Sequence, residues 1–428
     1  MRVLLVGSGG REHALAMALA HSPNLSALYI SPGNPGTAQY GTNISHIKAD
    51  NVAGLIEFAK QNQIDLVIPG PEAPLVAGLT DACQKIGIAC AGPTQAAAQL
   101  EGSKKFTKSV CDAAHIPTAQ WQAFTDSKAA IDYLHQQSLP IVIKADGLAA
   151  GKGVIIATTM QEAEETIKTM LDGSAFGNAG KLLVIEEFLT GEEVSLFAFC
   201  DGENAVLIGA AQDHKRIGDG DTGPNTGGMG AISPPPFFDR NAQEKALDIT
   251  VRPMLREMAK RGTPFRGIIF AGLMLTDKGP YLIEYNVRFG DPEAEVLLPR
   301  LKSDLLTIFK NLCQGKLSQS KIEFSDQAGV CVIMAAQGYP GKPKTGGLIS
   351  GIKEAEKLTD LKVFHAGTKI NADNQLCAAG GRVLCISAFA STLEEAQKKA
   401  YQGVAAIQWK DGIWRKDIGN RALRKKVN

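Results

Sequence analysis

The sequence predicts a multidomain protein of α/β and α+β type, on three observations. Over about the first hundred residues, short apolar runs ending in glycine or proline alternate with stretches of helical period. That rhythm belongs to a parallel sheet flanked by helices. A later region sets two apolar runs around a glycine-rich loop, a hairpin pattern rather than strand then helix. Finally, 428 residues exceed one ordinary core, so two to four domains are expected.

The elements follow in order. VLLVG (3–7) reads as a strand, REHALAMALA (11–20) as a helix and ALYIS (27–31) as a second strand. NVAGLIEFAKQNQ (51–63) reads as a helix, DLVIPGPE (65–72) as a strand with a turn, and LVAGLTDACQKIG (75–87) as one helix. This parallel α/β unit is drawn at 1–103. Ligands of such sheets sit at the carboxyl ends of the strands. Those ends are GSGGREH, SPGNPGT and PGPEAPL. A second unit, 104–324, opens with a helix in KKFTKSVCDAAHIP that Pro117 ends. Within it, PIVIKADG and AGKGVIIAT, a helix over 161–171 and the strand LLVIEEFL form a small module at about 117–189. VSLFAFCDG, AVLIGAAQDH, a helix over 240–261 and GIIFAGLMLTD continue the unit. The last unit, 325–428, is α+β: AGVCVIMAAQGYPG, RVLCISAFA and the helix EEAQKKAYQGVAAI.

Composition narrows the function classes. Hydrophobic content of 44%, charged content of 21% and net charge +1 are ordinary, and predict neither a nucleic-acid nor a membrane surface. The basic tail RALRKKVN reads as a solvated end. Eight scattered cysteines form no C-x-x-C and read as small buried residues in a reducing compartment. The chain enters a strand pattern at once, without a charged leader or a long apolar span, so a cytoplasmic location is expected.

Two segments carry most of the chemistry. HKRIGDGDTGPNTGGMGA (214–231) is polar and glycine-crowded, with too few large apolar residues for a core strand. YLIEYNVRFGDPE (281–293) puts Glu284, Asn286 and Arg288 on one face of a strand and Ile283, Tyr285 and Val287 on the other. An oxygen pair beside a guanidinium suits a metal ion and the phosphate it carries; a solvated strand face gives the same pattern. GSGGREHA places backbone N–H groups at a helix N-terminus, which favours an anion or is a plain tight turn. The dinucleotide fingerprint fails there, because Glu12 stands where the third glycine belongs. KADGLAAGKGV (144–154) is not a Walker loop, since Gly153 replaces the hydroxyl residue. It reads as a hairpin loop closing over phosphates, or as a surface hairpin, with Lys144 as a point charge. Glu186 and Glu187 face opposite sides of a strand, so one is inward and the other solvated. No histidine pair has metal-ligand spacing and no nucleophile motif occurs; carboxylates, lysines, an arginine and phosphate loops without a nucleophile suggest ATP-driven phosphoryl chemistry rather than covalent hydrolysis.

The order Lys104, Lys144, GLAAGKGV, VIEEFL and EYN resembles the ATP-grasp superfamily. With GSGGREHA, GPEAPL, QDHKRIGDGDTGPNTGGMGA, NVRFGDPE and RKDIGNRAL, essentially the whole chain resembles the glycinamide ribonucleotide synthetase family. The resemblance implies ATP-grasp domains with a small mobile lid. It implies ligation of glycine to 5-phosphoribosylamine through glycyl phosphate, with ATP as co-substrate and Mg2+ or Mn2+, at the second step of purine (IMP) biosynthesis. By the resemblance, Glu284 and Asn286 hold the metal. Arg288, Lys144 and Asp213 are catalytic. Lys104, Lys144, Gly151, Lys152, Gly153, Glu186, Glu187, Leu189 and Glu193 bind ATP. Gly9, Gly10, Arg11, Glu12, Pro71, Glu72, Asp213, Lys215, Arg216, Gly228, Met229 and Arg288 bind the other substrates. The partners implied are small molecules, and the chain is expected to be a monomer. Relatives with a second fully ligated metal carry an acid on the strand before E-x-N; here that strand is apolar up to Asp277. The alternatives are an ATP-dependent carboxylase of the same superfamily and a non-catalytic nucleotide-binding module.

Overall fold

A computed structural model describes residues 1–148, 153–171 and 180–424. The first unit is a parallel sheet of strands β1 (Arg2–Gly7), β2 (Ala27–Pro32), β3 (Thr42–Asn43), β4 (Leu66–Pro69) and β5 (Ala89–Cys90), in the order β3-β2-β1-β4-β5. Sequence patterning misses β3 and β5 because two residues leave no periodicity to read. Val3 to Val6 and Leu66 to Ile68 are buried on both faces, as helix-covered parallel strands must be. The strand order reverses between β1 and β4, which puts the ligand crevice beside Gly7 and Gly70. The helix expected over 75–87 is two, Ala73–Val76 and Leu79–Lys85, divided at Gly78, whose φ of +88° no helix continues.

The helix Lys104–Ala114, capped by the Ser103 hydroxyl accepting from the Phe106 N–H, leads into a small antiparallel sheet. Its strands are β6 (Trp121–Phe124), β7 (Ile141–Ala145), β8 (Val154–Ala157) and β9 (Leu183–Glu187), ordered β6-β9-β7-β8. The helices Ser127–Leu134 and Met160–Leu171 pack Leu134, Ile167 and Met170 onto Ile141, Ile143 and Ile185, which gives this sheet its own core. It is tied back by Thr118, which bridges to Leu282.

The largest sheet begins with β10 (Glu192–Asp201) and β11 (Ala205–Asp213). A hairpin of β12 (Arg216–Gly218) and β13 (Thr222–Asn225) follows, then β14 (Gly230–Ser233), β15 (Arg266–Thr276) and β16 (Gly279–Asn286). The remaining strands are β17 (Ala328–Ala336), β18 (Leu361–His365), the pair β19 (Thr368–Ile370) and β20 (Leu376–Ala378), β21 (Arg382–Ala390) and β22 (Gly412–Ile413). The main order is β16-β15-β10-β11-β14-β17-β21-β18, so one sheet runs from the E-x-N strand into the C-terminal third. The polar segment 214–231 is hairpin for most of its length, but Gly230 and Ala231 open the buried strand β14. Glycine and alanine suffice there because neighbouring strands supply the bulk.

Helix Arg240–Lys260, capped by the Asp239 carboxylate, covers β11, β15 and β16. Helix Leu393–Ala406 covers β17 and β21. The eight cysteines are unpaired thiols, buried or half-buried. Among the described residues no helix is long and apolar enough to cross a membrane.

Candidate active site

Strand β16 delivers the first residues. It bulges at Ile283: Glu284 pairs with Gly272, whereas Leu282 pairs with Leu273. Leu282, Tyr285 and Val287 therefore enter the core, while Ile283, expected to share that apolar face, stays half-buried outside it. Beyond the bulge the alternation holds. Asn286 Nδ2 donates to Glu284 Oε1 (3.5 Å), and Arg288 Nη2 donates to Asn286 Oδ1 (3.1 Å). Arg288 also meets Glu101 at 2.9 Å and Glu72 at 3.2 Å. Burial pushes the Glu284 carboxyl up, but Lys215, Lys144 and Lys104 bring it below its ordinary value. Burial likewise opposes ionisation of Glu72, and Arg288 and Arg11 outweigh it.

A cluster of lysines lies beside this face. Lys104 begins its helix and donates to the Gly147 carbonyl (3.1 Å). Lys144, on β7, reaches Glu186 Oε2 at 3.0 Å and the Ile283 carbonyl at 3.4 Å. Glu186 is buried and Glu187, one residue on, is exposed and accepts from the Gln120 N–H (2.9 Å), the opposition of faces expected of neighbours on a strand. Leu189 is half-buried in the turn after β9, and the Gly153 carbonyl accepts from the Ala145 N–H. Gly151 and Lys152 lie outside the described residues. Lys215, expected among the groups contacting the ribose phosphate and glycine, forms an ion pair with Glu193.

The third part surrounds the glycine turn after β1. Glu12 folds back so that the Gly9 N–H donates to its Oε2 (2.6 Å), and Arg11 holds its other oxygen at 2.7 Å. Gly9 thus has its N–H engaged by the Glu12 carboxylate. Glu12 fits because Gly7 and Gly70 lack side chains where its carboxylate lies. Gly10 packs on Glu295 and Cys385 in the same way. Arg11 also donates to the Phe289 carbonyl (3.0 Å), and Pro71 and Glu72 form the turn after β4. A cavity of about 410 Å³ opens on this turn, lined among others by Ser8, Gly9, Asn34, Asp291, Tyr339 and Arg382.

Asp213 ends β11. Burial and the nearby Glu293 push its carboxyl well up, and its Oδ1 has no partner among the described residues. Gly228, at φ +113°, sits against this oxygen and Pro292, where no side chain fits. Two expected substrate contacts do not reach the cluster. The Met229 side chain is fully buried in the core, its N–H donates to His214 and its carbonyl accepts from Ile333. Arg216 donates instead to the Gly223 carbonyl inside the β12–β13 hairpin (2.8 Å).

The residues that sequence reasoning missed are Lys108, Glu101, Asp291, Glu293 and Arg382. Glu101 accepts from the Val287 N–H (2.7 Å) and its carboxyl is raised to about 7 by burial, against the pull of Arg288. Arg382 holds the Asp291 carboxylate at 2.9 Å and donates to the Asp291 and Gly227 carbonyls. NVRFGDPE did contain Asp291 and Glu293 as the acids of its last turn. Nothing local marked Glu101, Lys108 or Arg382, whose partners are far along the chain.

Comparison with known proteins agrees along the full length. The chain matches the phosphoribosylglycinamide synthetase N domain over residues 1–101, its ATP-grasp (A) domain over 102–294 and its C domain over 329–421. It is 51% identical to a phosphoribosylamine–glycine ligase of Brucella melitensis over 429 residues, covering 100% of each chain. The crystal structure of a phosphoribosylamine–glycine ligase from Thermotoga maritima superposes with a TM-score of 0.85 at 32% identity, covering 98% of this chain and 100% of that one. Biotin carboxylase from Campylobacter jejuni shares the fold alone, with a TM-score of 0.72 at 14% identity over 96% of this chain and 93% of its own. The chain belongs to the phosphoribosylglycinamide synthetase family.

Proposed function

We infer that the protein joins glycine to 5-phosphoribosylamine, cleaving ATP to ADP and phosphate and releasing glycinamide ribonucleotide, at the second step of purine biosynthesis. Full-length agreement with phosphoribosylamine–glycine ligases at about half identity carries this reading. The arrangement of charge fits it. A carboxylate is a poor acyl donor because its leaving group would be oxide; transfer of the γ-phosphoryl group makes glycyl phosphate, whose leaving group is phosphate. The ribosyl amine then forms the C–N bond, phosphate departs and the amine gives up a proton. Such chemistry needs positioning and charge neutralisation rather than a protein nucleophile.

Glu284 and Asn286 are the oxygens that fit a magnesium or manganese ion. They stand side by side, Gly272 and Phe270 opposite them on β15 bring no further ligand, and no cluster of three or more acidic, His or Cys groups occurs among the described residues. Such a pair suits an ion that takes its remaining ligands from phosphates and water. When bound, the ion would neutralise charge on the β- and γ-phosphates. Lys104 and Lys144 supply point charges to the same phosphates, and Arg288 faces the transferring group and the glycine carboxylate. The hinge at Glu186, Glu187 and Leu189 suits the adenine, and Glu193 the ribose. The cavity at the glycine turn, with Arg382 at its wall, suits phosphoribosylamine. Asp213, whose Oδ1 has no partner among the described residues, lies beside Glu293 and suits a carboxylate that takes the proton the attacking amine loses.

ADP release from magnesium ATP and phosphoribosylamine, with and without glycine, tests the reading. Strict glycine dependence with glycinamide ribonucleotide as product is expected. Release without glycine, or dependence on bicarbonate, would keep the fold and discard the reaction.

A further inference from the structure

One turn after Lys104, the same helix carries Lys108, which is only 2% exposed. Lysine is seldom buried, because its ammonium loses hydration that a partner must replace. Lys108 Nζ lies 2.9 Å from Glu186 Oε2, the oxygen that Lys144 reaches at 3.0 Å. It also donates to Thr118 Oγ1 (2.7 Å), whose hydroxyl donates to the Leu282 carbonyl of β16 (2.6 Å). One ammonium therefore joins the helix, the small sheet and the strand that presents Glu284.

The charge count is uneven: two buried ammonium groups face one buried carboxylate. One lysine is enough to pair Glu186. The second becomes necessary if the first has to leave, since a buried carboxylate stripped of its partner is strongly unfavourable. Lys144 is the one with somewhere to go, because it stands beside Lys104 and Glu284 at the phosphate end. We propose that Lys108 is a positioning residue for nucleotide binding: it keeps Glu186 paired when Lys144 turns from that carboxylate to the triphosphate. The proposal rests on the nucleotide reading given above.

Lys108→Met keeps an unbranched stem, shorter by the terminal nitrogen, and removes the charge. In that variant Lys144 becomes the sole counter-ion of Glu186, and phosphate binding must strand the carboxylate. Calorimetric titration with MgADP and steady-state kinetics read the effect. The Kd for ADP and the KM for ATP are expected to rise about tenfold or more, with the KM for glycine within about twofold. Lys108→Arg, which keeps the charge, should hold ADP affinity within about threefold of the parent. In a Glu186→Gln background no buried carboxylate needs a partner, so adding Lys108→Met there should change ADP affinity by less than about twofold relative to Glu186→Gln alone. Unchanged ADP affinity in Lys108→Met overturns the proposal, as does a further loss of about tenfold when Lys108→Met is added to Glu186→Gln. Should Lys108→Met not fold, the Glu186→Gln pair decides: affinities within about twofold of each other are expected, and a difference of about tenfold overturns it. A parent protein that binds no MgADP defeats the nucleotide reading itself and is distinguishable from all of these.

Discussion

The carboxyls on the two sides of the site are buried or half-buried and behave in opposite ways. On the phosphate side, burial opposes ionisation of Glu284 and Glu186, yet both fall below their ordinary values because lysines face them: Lys215, Lys144 and Lys104 for Glu284, Lys144 and Lys108 for Glu186. At Asp213 and Glu295, burial wins. Asp213 is raised further by Glu293 against Lys215 and Arg382, and Glu295 by Asp291 and Cys385 against Arg382. The balance of facing anions and cations sets the sign.

The sharpest way to break this contrast is Glu284→Ala. It should lower kcat by roughly 10³-fold or more while thermal unfolding stays close to that of the parent, because Glu284 is half-buried at a strand end. Near-normal turnover would remove Glu284 from the metal. Arg288→Met comes next. It leaves Glu72 and Glu101 without their shared cation and should cost about 3–5 kcal/mol in denaturant unfolding. A cost below about 1 kcal/mol would mean that both acids are already neutral.

Glu101→Gln tests the sign of a single shift. Because the folded-state carboxyl is raised to about 7, the unfolded chain releases this proton first as pH rises. Wild-type stability from this group is therefore complete below the ordinary carboxyl range and falls as pH climbs towards 7. The glutamine variant should gain on wild type across that window by on the order of 2 kcal/mol, read from unfolding at several pH values. A difference that is flat with pH would place Glu101 with Glu284 rather than with Asp213. The smallest effect is expected from Arg216→Ala. Its guanidinium bonds within an exposed hairpin, so the KM for phosphoribosylamine should change by less than about threefold. A tenfold rise would move the ribose phosphate onto the hairpin.

What could be read from the sequence was whatever repeats locally. The β-α rhythm of the first unit, the helix beginning at Lys104 and the face shared by Glu284, Asn286 and Arg288 all follow from side-chain period. Ile283 escaped because a bulge breaks that period for one residue. Met229 escaped because a glycine-rich segment looked wholly like loop, when its end joins a core strand. Lys108, Glu101 and Arg382 escaped for a different reason. Each is defined by a partner on another element, as Glu101 is by Arg288 and Arg382 by Asp291, and no local pattern encodes such pairings.

The sheet that runs from β16 through β14 and β17 to β18 has a practical consequence. Gly230 to Ser233 are buried between β11 and β17, so expressing residues 102–294 alone would uncover one side of β14. The complementary C-terminal piece would uncover β17. Raw edges of this kind recruit other strands, and both fragments should aggregate on gel filtration where the intact chain does not. The outlines of the family's A and C domains thus cut through one continuous sheet.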